Sequence, residues 1–258
     1  MTHTLVADAL ITDAFEDLLK AFSLPAQVRQ MEEDPNGAAA QALWQGFEAS
    51  GLAQVLVAEA SGGAGLGFAQ AYPLFAALGR HACPLPLAER MVESAFGAEA
   101  AKDLTTRACL DAAYMAGAMQ TVLDKTLQYA NDRQQFGRPL GKFQAIQHQL
   151  AVMAEQTLAA QMAAQLGCKH ANPLPSLLAV AVAKARCSEA AVEIAALGHS
   201  IHGAIGFTAE FDLQLFTRRL HALRQASGSE SYWHDVLGHH LVSERQDASL
   251  ELVRELTD

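Results

Sequence analysis

The stretch Asn131-Asp132-Arg133-Gln134-Gln135-Phe136-Gly137-Arg138-Pro139-Leu140-Gly141-Lys142-Phe143-Gln144-Ala145-Ile146-Gln147-His148 separates two long helical patterns. Before it, Met115, Met119, Val122, Thr126 and Tyr129 fall on one helical face, with Gln120, Asp124 and Gln128 opposite. Gly137-Arg138-Pro139 must end that helix, because proline cannot donate to the helical ladder and its ring clashes with the preceding turn. After it, Phe143, Ile146, Leu150, Met153 and Thr157 begin a second stripe. Two long helices joined by so short a break pack as antiparallel neighbours.

The same reading extends in both directions. Toward the C-terminus, Asn172-Pro173-Leu174-Pro175 breaks the second helix, and Ser176 can cap a third over about 177–202. Thr208 to Asp212 is a turn; helices are expected over 213–224 and 231–241. Toward the N-terminus the expected helices are 9–22, Ala38–Ser50 stopped by Gly51, and about 68–78 ended by Gly79. Pro25 and Glu33-Asp34-Pro35-Asn36-Gly37 read as breakers, Ala60 to Gly67 as a glycine-rich loop, and Cys83-Pro84-Leu85-Pro86 as a stiff connector before a short helix at Leu87–Phe96. No alternating run exceeds Gln54–Val57, and there is no internal repeat. The expected fold is all-α: an N-terminal helical lobe, 1–98, and a C-terminal bundle of long antiparallel helices, 103–258.

Composition excludes several classes. With 51% hydrophobic and 18% charged residues, the 258-residue chain builds a packed core and is neither disordered, collagenous nor a disulfide scaffold. Its 18 Lys and Arg against 28 Asp and Glu leave a net charge of -10, a poor start for contact with nucleic-acid phosphates. A small anionic ligand held by a few local cations remains compatible. The N-terminal stretch has no basic region of a signal peptide, and the longest apolar run, Leu177–Ala183, is far below the ~20 residues that span a bilayer. Cys83, Cys109, Cys168 and Cys187 are scattered, as expected of reduced thiols in a cytoplasmic protein.

Some candidate sites fail on spacing. The glycines of 62–67 do not complete GxGxxG, and Gly137–Lys142 is one residue short of a phosphate-binding P-loop, with Phe143 where Ser or Thr belongs. No histidine has a glutamate three residues before it, so a di-iron carboxylate pattern is absent. His199 and His202 share a helical face but lack placed carboxylates, so no metal site is expected.

The stretch 131–148 closely resembles the R-x-Q-F-G-x-P-[IL]-x-x-F-Q signature of the acyl-CoA dehydrogenases. His202-Gly203-Ala204-Ile205-Gly206-Phe207-Thr208-Ala209-Glu210 resembles the H-G-G-x-G-[YF]-T-x-E stretch of one branch of that family, in the matching order and spacing. Gly51-Leu52 and Glu59-Ala60-Ser61-Gly62-Gly63-Ala64-Gly65 resemble its N-terminal helical domain. The resemblance implies FAD as cofactor, an acyl-CoA thioester as substrate, and a homo- or hetero-oligomer in which the FAD site crosses a subunit interface. Arg133, Gln135, Phe136, Gln144, Ser200 and Gly203 are the implied cofactor contacts. Their chemistry agrees: a guanidinium fork suits pyrophosphate, a phenyl face suits adenine, and a glycine lets backbone approach a ligand closely.

The chain also departs from the family. Members carry a β-barrel domain between their two helical domains; here only about ten residues separate Phe96 from Arg107. Ser227 and Arg107 occupy the two positions where members place the glutamate base, and neither is a competent base. Glu230 and Asp111 lie about one helical turn away. Ser200 and Ala204 replace a usual Gln and Gly. No catalytic residue is therefore assigned. The expected function is that of a subunit in FAD-dependent α,β-dehydrogenation of an acyl-CoA, of fatty or steroid acyl type, with a partner chain supplying the flavin-ring site and the base. The alternatives are a self-sufficient homomer and a non-catalytic structural or acyl-CoA-binding helical protein.

Overall fold

A computed structural model describes residues 2–169, 171–244, 251 and 254. Among them the chain folds almost wholly as helix. The N-terminal half holds α1 (Thr2–Phe22), α2 (Pro25–Glu33), α3 (Ala38–Ala49), α4 (Phe68–Arg80), α5 (Leu87–Phe96) and α6 (Ala98–Lys102). The C-terminal half holds α7 (Leu104–Asp132), α8 (Gln144–Lys169), α9 (Leu177–His202), α10 (Leu213–Gln225) and α11 (Glu230–His239). The expected all-α class holds, and no barrel lies between the halves.

The three longest helices of the C-terminal half form the bundle. Cys109, near the start of α7, meets Cys168, at the end of α8, with sulfurs 3.5 Å apart, so these helices run antiparallel. Gly167 of α8 packs on Ala183 and Ala179 of α9, which turns the chain back again. The C-terminal ends of α7 and α9 and the N-terminal end of α8 thus gather at one end of the bundle.

One continuous apolar core runs from Phe15 in α1 to Trp233 in α11. It does not break between residues 98 and 103. Helix α4 lies on α7 at backbone contact: a Cβ on Gly79 would collide with the Tyr114 carbonyl oxygen, and one on Gly117 with that of Ala76. Ion pairs add a second seam, with Arg29 of α2 bonding Asp212 at 2.7 Å, and Arg218 and Arg219 of α10 both holding Glu32.

Where a barrel would interrupt the chain, one residue stands. Helix α6 ends at Lys102 and α7 begins at Leu104. Asp103 between them caps α7, its carboxylate accepting the Thr106 N–H at 2.9 Å.

The structure differs from expectation at five places. Pro25 opens α2 instead of ending helix, because a proline at the first helical position lacks only an N–H that would be unpaired anyway. Gln54–Val57 is not a strand; it lies in tight turns whose amides bond back to Gly51, Leu52 and Gln54 carbonyls. The first helix starts at Thr2, and the 98–102 stretch is helical. A two-residue hairpin, β1 (Gln134–Gln135) with β2 (Arg138–Pro139), sits inside the signature stretch.

Candidate functional site: one end of the bundle

Arg133 ends α7 in an extended conformation, its N–H bonding the Tyr129 carbonyl at 2.8 Å. Its carbonyl then accepts the Leu140 N–H at 2.9 Å, which closes the hairpin base. The two residues at the hairpin tip, Phe136 and Gly137, both have positive φ, 53° and 79°. That is the primed turn that matches the twist of a two-residue hairpin. Glycine adopts it freely; phenylalanine does so at a cost. The outcome is a phenyl ring held out in solvent, 91% exposed, edge-to-face with Phe143 at 6.2 Å between ring centroids. Arg138 stands over the Phe143 face at 4.1 Å and so supports the hairpin from beneath. The Arg133 guanidinium is exposed and has no carboxylate partner among the described residues.

Gln135 lies exposed on β1, and Gln144 is the exposed first residue of α8. Ser200 is exposed on the last turn of α9. Gly203 ends α9 at φ 65°, with open space wherever a Cβ would point. The six predicted cofactor contacts therefore lie at the same end of the bundle, all exposed.

Aromatic stacking holds that end together. His202 is 3% exposed and stacks on Tyr129, 4.4 Å between ring centroids, while Phe211 packs beside both rings, 4.8 Å from His202 and 5.9 Å from Tyr129. Its Nδ1 bonds the Gly198 carbonyl at 2.7 Å and its Nε2 is buried without a partner. His199 stacks on Phe207 at 4.2 Å and bonds the Thr217 hydroxyl at 2.9 Å. Burial pushes both imidazoles below the ordinary histidine range. The pair is packed into aromatic rings, and no group able to hold a metal occurs among the described residues. Sequence reasoning misses Tyr129 and His202 as supports; the available signal is Tyr129 itself, one helical turn before Arg133 on the same face.

The positions of the family's base lie elsewhere. Ser227 sits at φ 50°, its carbonyl accepting the Trp233 indole N–H at 3.0 Å. Buried Lys184 fixes this loop by donating to the Gly228 carbonyl at 2.8 Å and the Arg224 carbonyl at 3.2 Å. Glu230 is locked in a fork with Arg224, whose hydrogen bonds hold its carboxyl below the usual range. A pinned, acidified carboxylate is a poor base. Asp111 has the opposite environment. It lines a cavity of about 190 Å³ between α5, α7 and α10, beside Glu89, Tyr114 and Arg219. One Asp111 oxygen is buried without a hydrogen bond, and burial pushes its carboxyl up, as it does that of Glu89. Arg219 brings to the same cavity an unpartnered buried Nε, although its Nη2 holds Glu32 at 2.7 Å. Glu89 and Arg219 have no motif to mark them in the sequence; the fold alone brings them together.

The comparisons decide the family. A model described as the acyl-CoA dehydrogenase C-terminal domain matches residues 97–241, more than half of the chain.

The chain belongs to the acyl-CoA dehydrogenase family.

The curated relatives include acyl-CoA dehydrogenase IpdE2 of Mycolicibacterium smegmatis, 37% identical over 123 residues, or 48% of this chain and 38% of that protein. The IpdE2 of Mycobacterium tuberculosis is 40% identical over 46% of this chain and 36% of its own length. The chain thus spans less than two-fifths of the acyl-CoA dehydrogenase IpdE2 proteins it matches. Among solved structures, the Tcur3481–Tcur3483 steroid acyl-CoA dehydrogenase aligns with a TM-score of 0.80 at 19% identity, covering 93% of this chain and 99% of that one. The ChsE4–ChsE5 complex from Mycobacterium tuberculosis aligns at 0.75 and 15%, over 92% and 97%. These likenesses establish the fold, and each covers nearly the whole of both chains without a barrel. No helix among the described residues is long and apolar enough to cross a membrane.

Proposed function

We propose that this chain is the helical subunit of a heteromeric acyl-CoA dehydrogenase, working with a partner chain that supplies the barrel, the flavin-ring site and the base. One observation carries the reading: the end of the bundle that would meet FAD is built and exposed, while Asp103 alone stands where the barrel would enter. The setting is cytoplasmic in this reading, in keeping with four free cysteines, all buried. Residues 103–258 act as the cofactor-facing unit and 1–98 as the lobe packed against it.

The residues at that end fit the adenosine diphosphate half of FAD. Phe136 offers an uncovered aromatic face, Arg133 an unpaired guanidinium for pyrophosphate, and Gly203 a backbone bare enough for close approach. Gln135, Gln144 and Ser200 add exposed hydrogen-bonding groups around them. When bound, FAD would supply the acceptor for a hydride lost from the acyl β-carbon. This chain binds and orients the cofactor's distal half; with Ser227 and Arg107 at the family's base positions, the α-proton goes to a base of the partner. The likeness of fold to a steroid acyl-CoA dehydrogenase and to the ChsE4–ChsE5 complex supports a hetero-oligomer and a bulky acyl-CoA, such as a steroid side-chain thioester.

The test is a flavin spectrum of the chain alone and of the chain co-expressed with the products of its neighbouring genes. The lone chain is expected to be colourless and the complex yellow, with dye-reducing activity on acyl-CoA. Arg133→Ala with Phe136→Ala should leave the complex assembled and strip its flavin. A yellow, active lone chain would replace this reading with a self-sufficient homomer. Colourless preparations throughout would leave a non-catalytic helical protein.

A further inference from the structure

We infer that the outward face of α8 is where the partner dehydrogenase chain docks, through an apolar patch of its own edged with basic side chains. This rests on the heteromeric reading above and adds to it the face the partner takes and the charge it carries there.

Helix α8 is apolar on two sides. Its inner side buries Met153, Thr157, Ala160 and Ala164 toward α7 and α9. Its outer side shows Ala151, Ala154, Leu158 and Met162 to solvent. Leu158 and Met162, one helical turn apart, are 58% and 63% exposed. From Gln144 to Gln165 the exposed residues of the helix include one acid, Glu155, and no lysine or arginine. A surface helix ordinarily keeps a charged outer face, and one that is apolar all round is buried. The lone chain leaves this face open, so a second molecule is what would bury it.

The neighbouring helices extend the patch and edge it with acid. Gln161 of α8 donates to Gln120 of α7 at 2.8 Å, so the strip of α7 that carries Gln120, Asp124 and Leu127 borders α8. On the other side Arg186 of α9 bonds Gln156, which brings the strip with Glu189, Val192 and Glu193 alongside. Leu127 and Val192 are each 38% exposed. Arg186 and His234 both lie 3.5 Å from Glu189 and offset that acid. Asp124 accepts only the Gln120 amide, at 2.9 Å, and neither it, Glu155 nor Glu193 has a cationic partner among the described residues.

An apolar centre with an acidic edge selects its occupant. A second copy placed face to face would set the same carboxylates against their like. A chain with a basic edge pairs with them, and the net charge of -10 on this chain draws it in. Position agrees. Helix α8 begins at Gln144, a proposed FAD contact, and Ala151 lies on the same face two turns later, about 10 Å along the axis. A chain that carries FAD to Gln144 already lies against the start of this face.

The test is co-expression of the full chain with the products of its neighbouring genes, read by size-exclusion chromatography with light scattering and by titration of the separated chains. Leu158→Glu with Met162→Glu should weaken the complex by about a hundredfold or more, because it sets carboxylates in the apolar centre. The thermal midpoint of the lone chain should not move, since both side chains already face solvent. Leu10→Glu, at a leucine of α1 that is 64% exposed, should leave the complex intact. Glu155→Lys with Glu193→Lys should weaken it by about tenfold at low salt and by less at high salt. Should the Leu158 and Met162 pair fail to fold, the Glu155 and Glu193 pair still decides. The lone chain should be monomeric. A wild-type chain that forms no complex with any neighbouring product overturns the heteromeric reading and this inference with it. A wild-type complex that is not weakened by either pair of substitutions overturns this inference alone and leaves that reading standing. So does a lone chain that pairs with itself and is parted by Leu158→Glu with Met162→Glu, which gives the face to a second copy.

Discussion

The His202 imidazole lies on the Tyr129 ring with 27° between their planes, and this contact joins the end of α9 to the end of α7. Both helices carry proposed cofactor contacts within four residues of it, Arg133 on one and Gly203 on the other. Tyr129→Ala should therefore destabilise the fold by about 1–3 kcal/mol and loosen both contacts at once. Tyr129→Phe keeps the stack and loses only a long 3.4 Å bond to the His202 carbonyl, so it should cost under about 1 kcal/mol. Urea unfolding of the two variants, with flavin content of the co-expressed complex, separates stacking from hydrogen bonding.

The same histidine makes stability sensitive to mild acid. Burial holds His202 and His199 below the ordinary value, with His199 and Lys125 also opposing charge on His202, and His221 on His199. As pH falls below about 6.5 the unfolded chain takes up protons that the folded chain refuses. Stability should fall from there until the folded imidazoles protonate, at up to about 1.4 kcal/mol per pH unit for the buried His202 and less for the more exposed His199. Urea midpoints measured between pH 7.5 and 5 check this, and a slope unchanged in His202→Gln would refute the assignment.

Gly79 and Gly117 let α4 and α7 touch through their backbones. An alanine at either position drives its methyl into a main-chain carbonyl that cannot yield without moving a helix. Gly79→Ala and Gly117→Ala should each cost about 3 kcal/mol or more and lower expression of folded protein. Gly97→Ala is a contrasting control. It meets no atom within 4 Å but sits at φ 88°, so its smaller cost arises from backbone strain alone. Thermal melts of the three rank the two effects.

Asp111 sets the opposite pH sign to that of the histidines. Its carboxyl is raised by burial, with Ser227, Lys184 and Arg107 only partly offsetting that. The unfolded chain ionises near the ordinary aspartate value while the folded chain resists. Stability is therefore lost as pH rises from the unfolded value through the folded one, and the deficit persists at neutral pH. Asp111→Asn removes the ionisation and should raise the thermal midpoint at pH 7.5, with the gain vanishing at about pH 3.5, below the ordinary aspartate value. If Asp111 instead serves as a base, the same variant would abolish dehydrogenation in the assembled enzyme. A full turnover rate in Asp111→Asn leaves the base with the partner.

Much of the helical framework is legible in the chain itself. The boundary at Gly137-Arg138-Pro139 and the stripes on either side determine α7 and α8, because long amphipathic periods and a proline leave little choice. The hairpin within that boundary is not legible: two residues per strand carry no alternation, and Phe136 at positive φ contradicts its own backbone preference. Pro25 misleads for a related reason, since the residue that ends a helix inside it also begins one at its first position. The six exposed residues at the bundle end are nameable only through the family resemblance. The rings beneath them, and the cavity shared by Glu89, Asp111 and Arg219, come from residues too far apart in the chain for any local pattern to join.

Asp103 has a mechanical consequence. Hinges need several residues free to change φ and ψ, and here a single one connects α6 to α7, held by its own cap on Thr106. The two halves are welded at that point and again where α4 lies on α7. That packing opposes a swing that would part them. A push on the Lys102 end would instead travel along α7 as along a lever, 29 residues or about 43 Å, and arrive at Arg133.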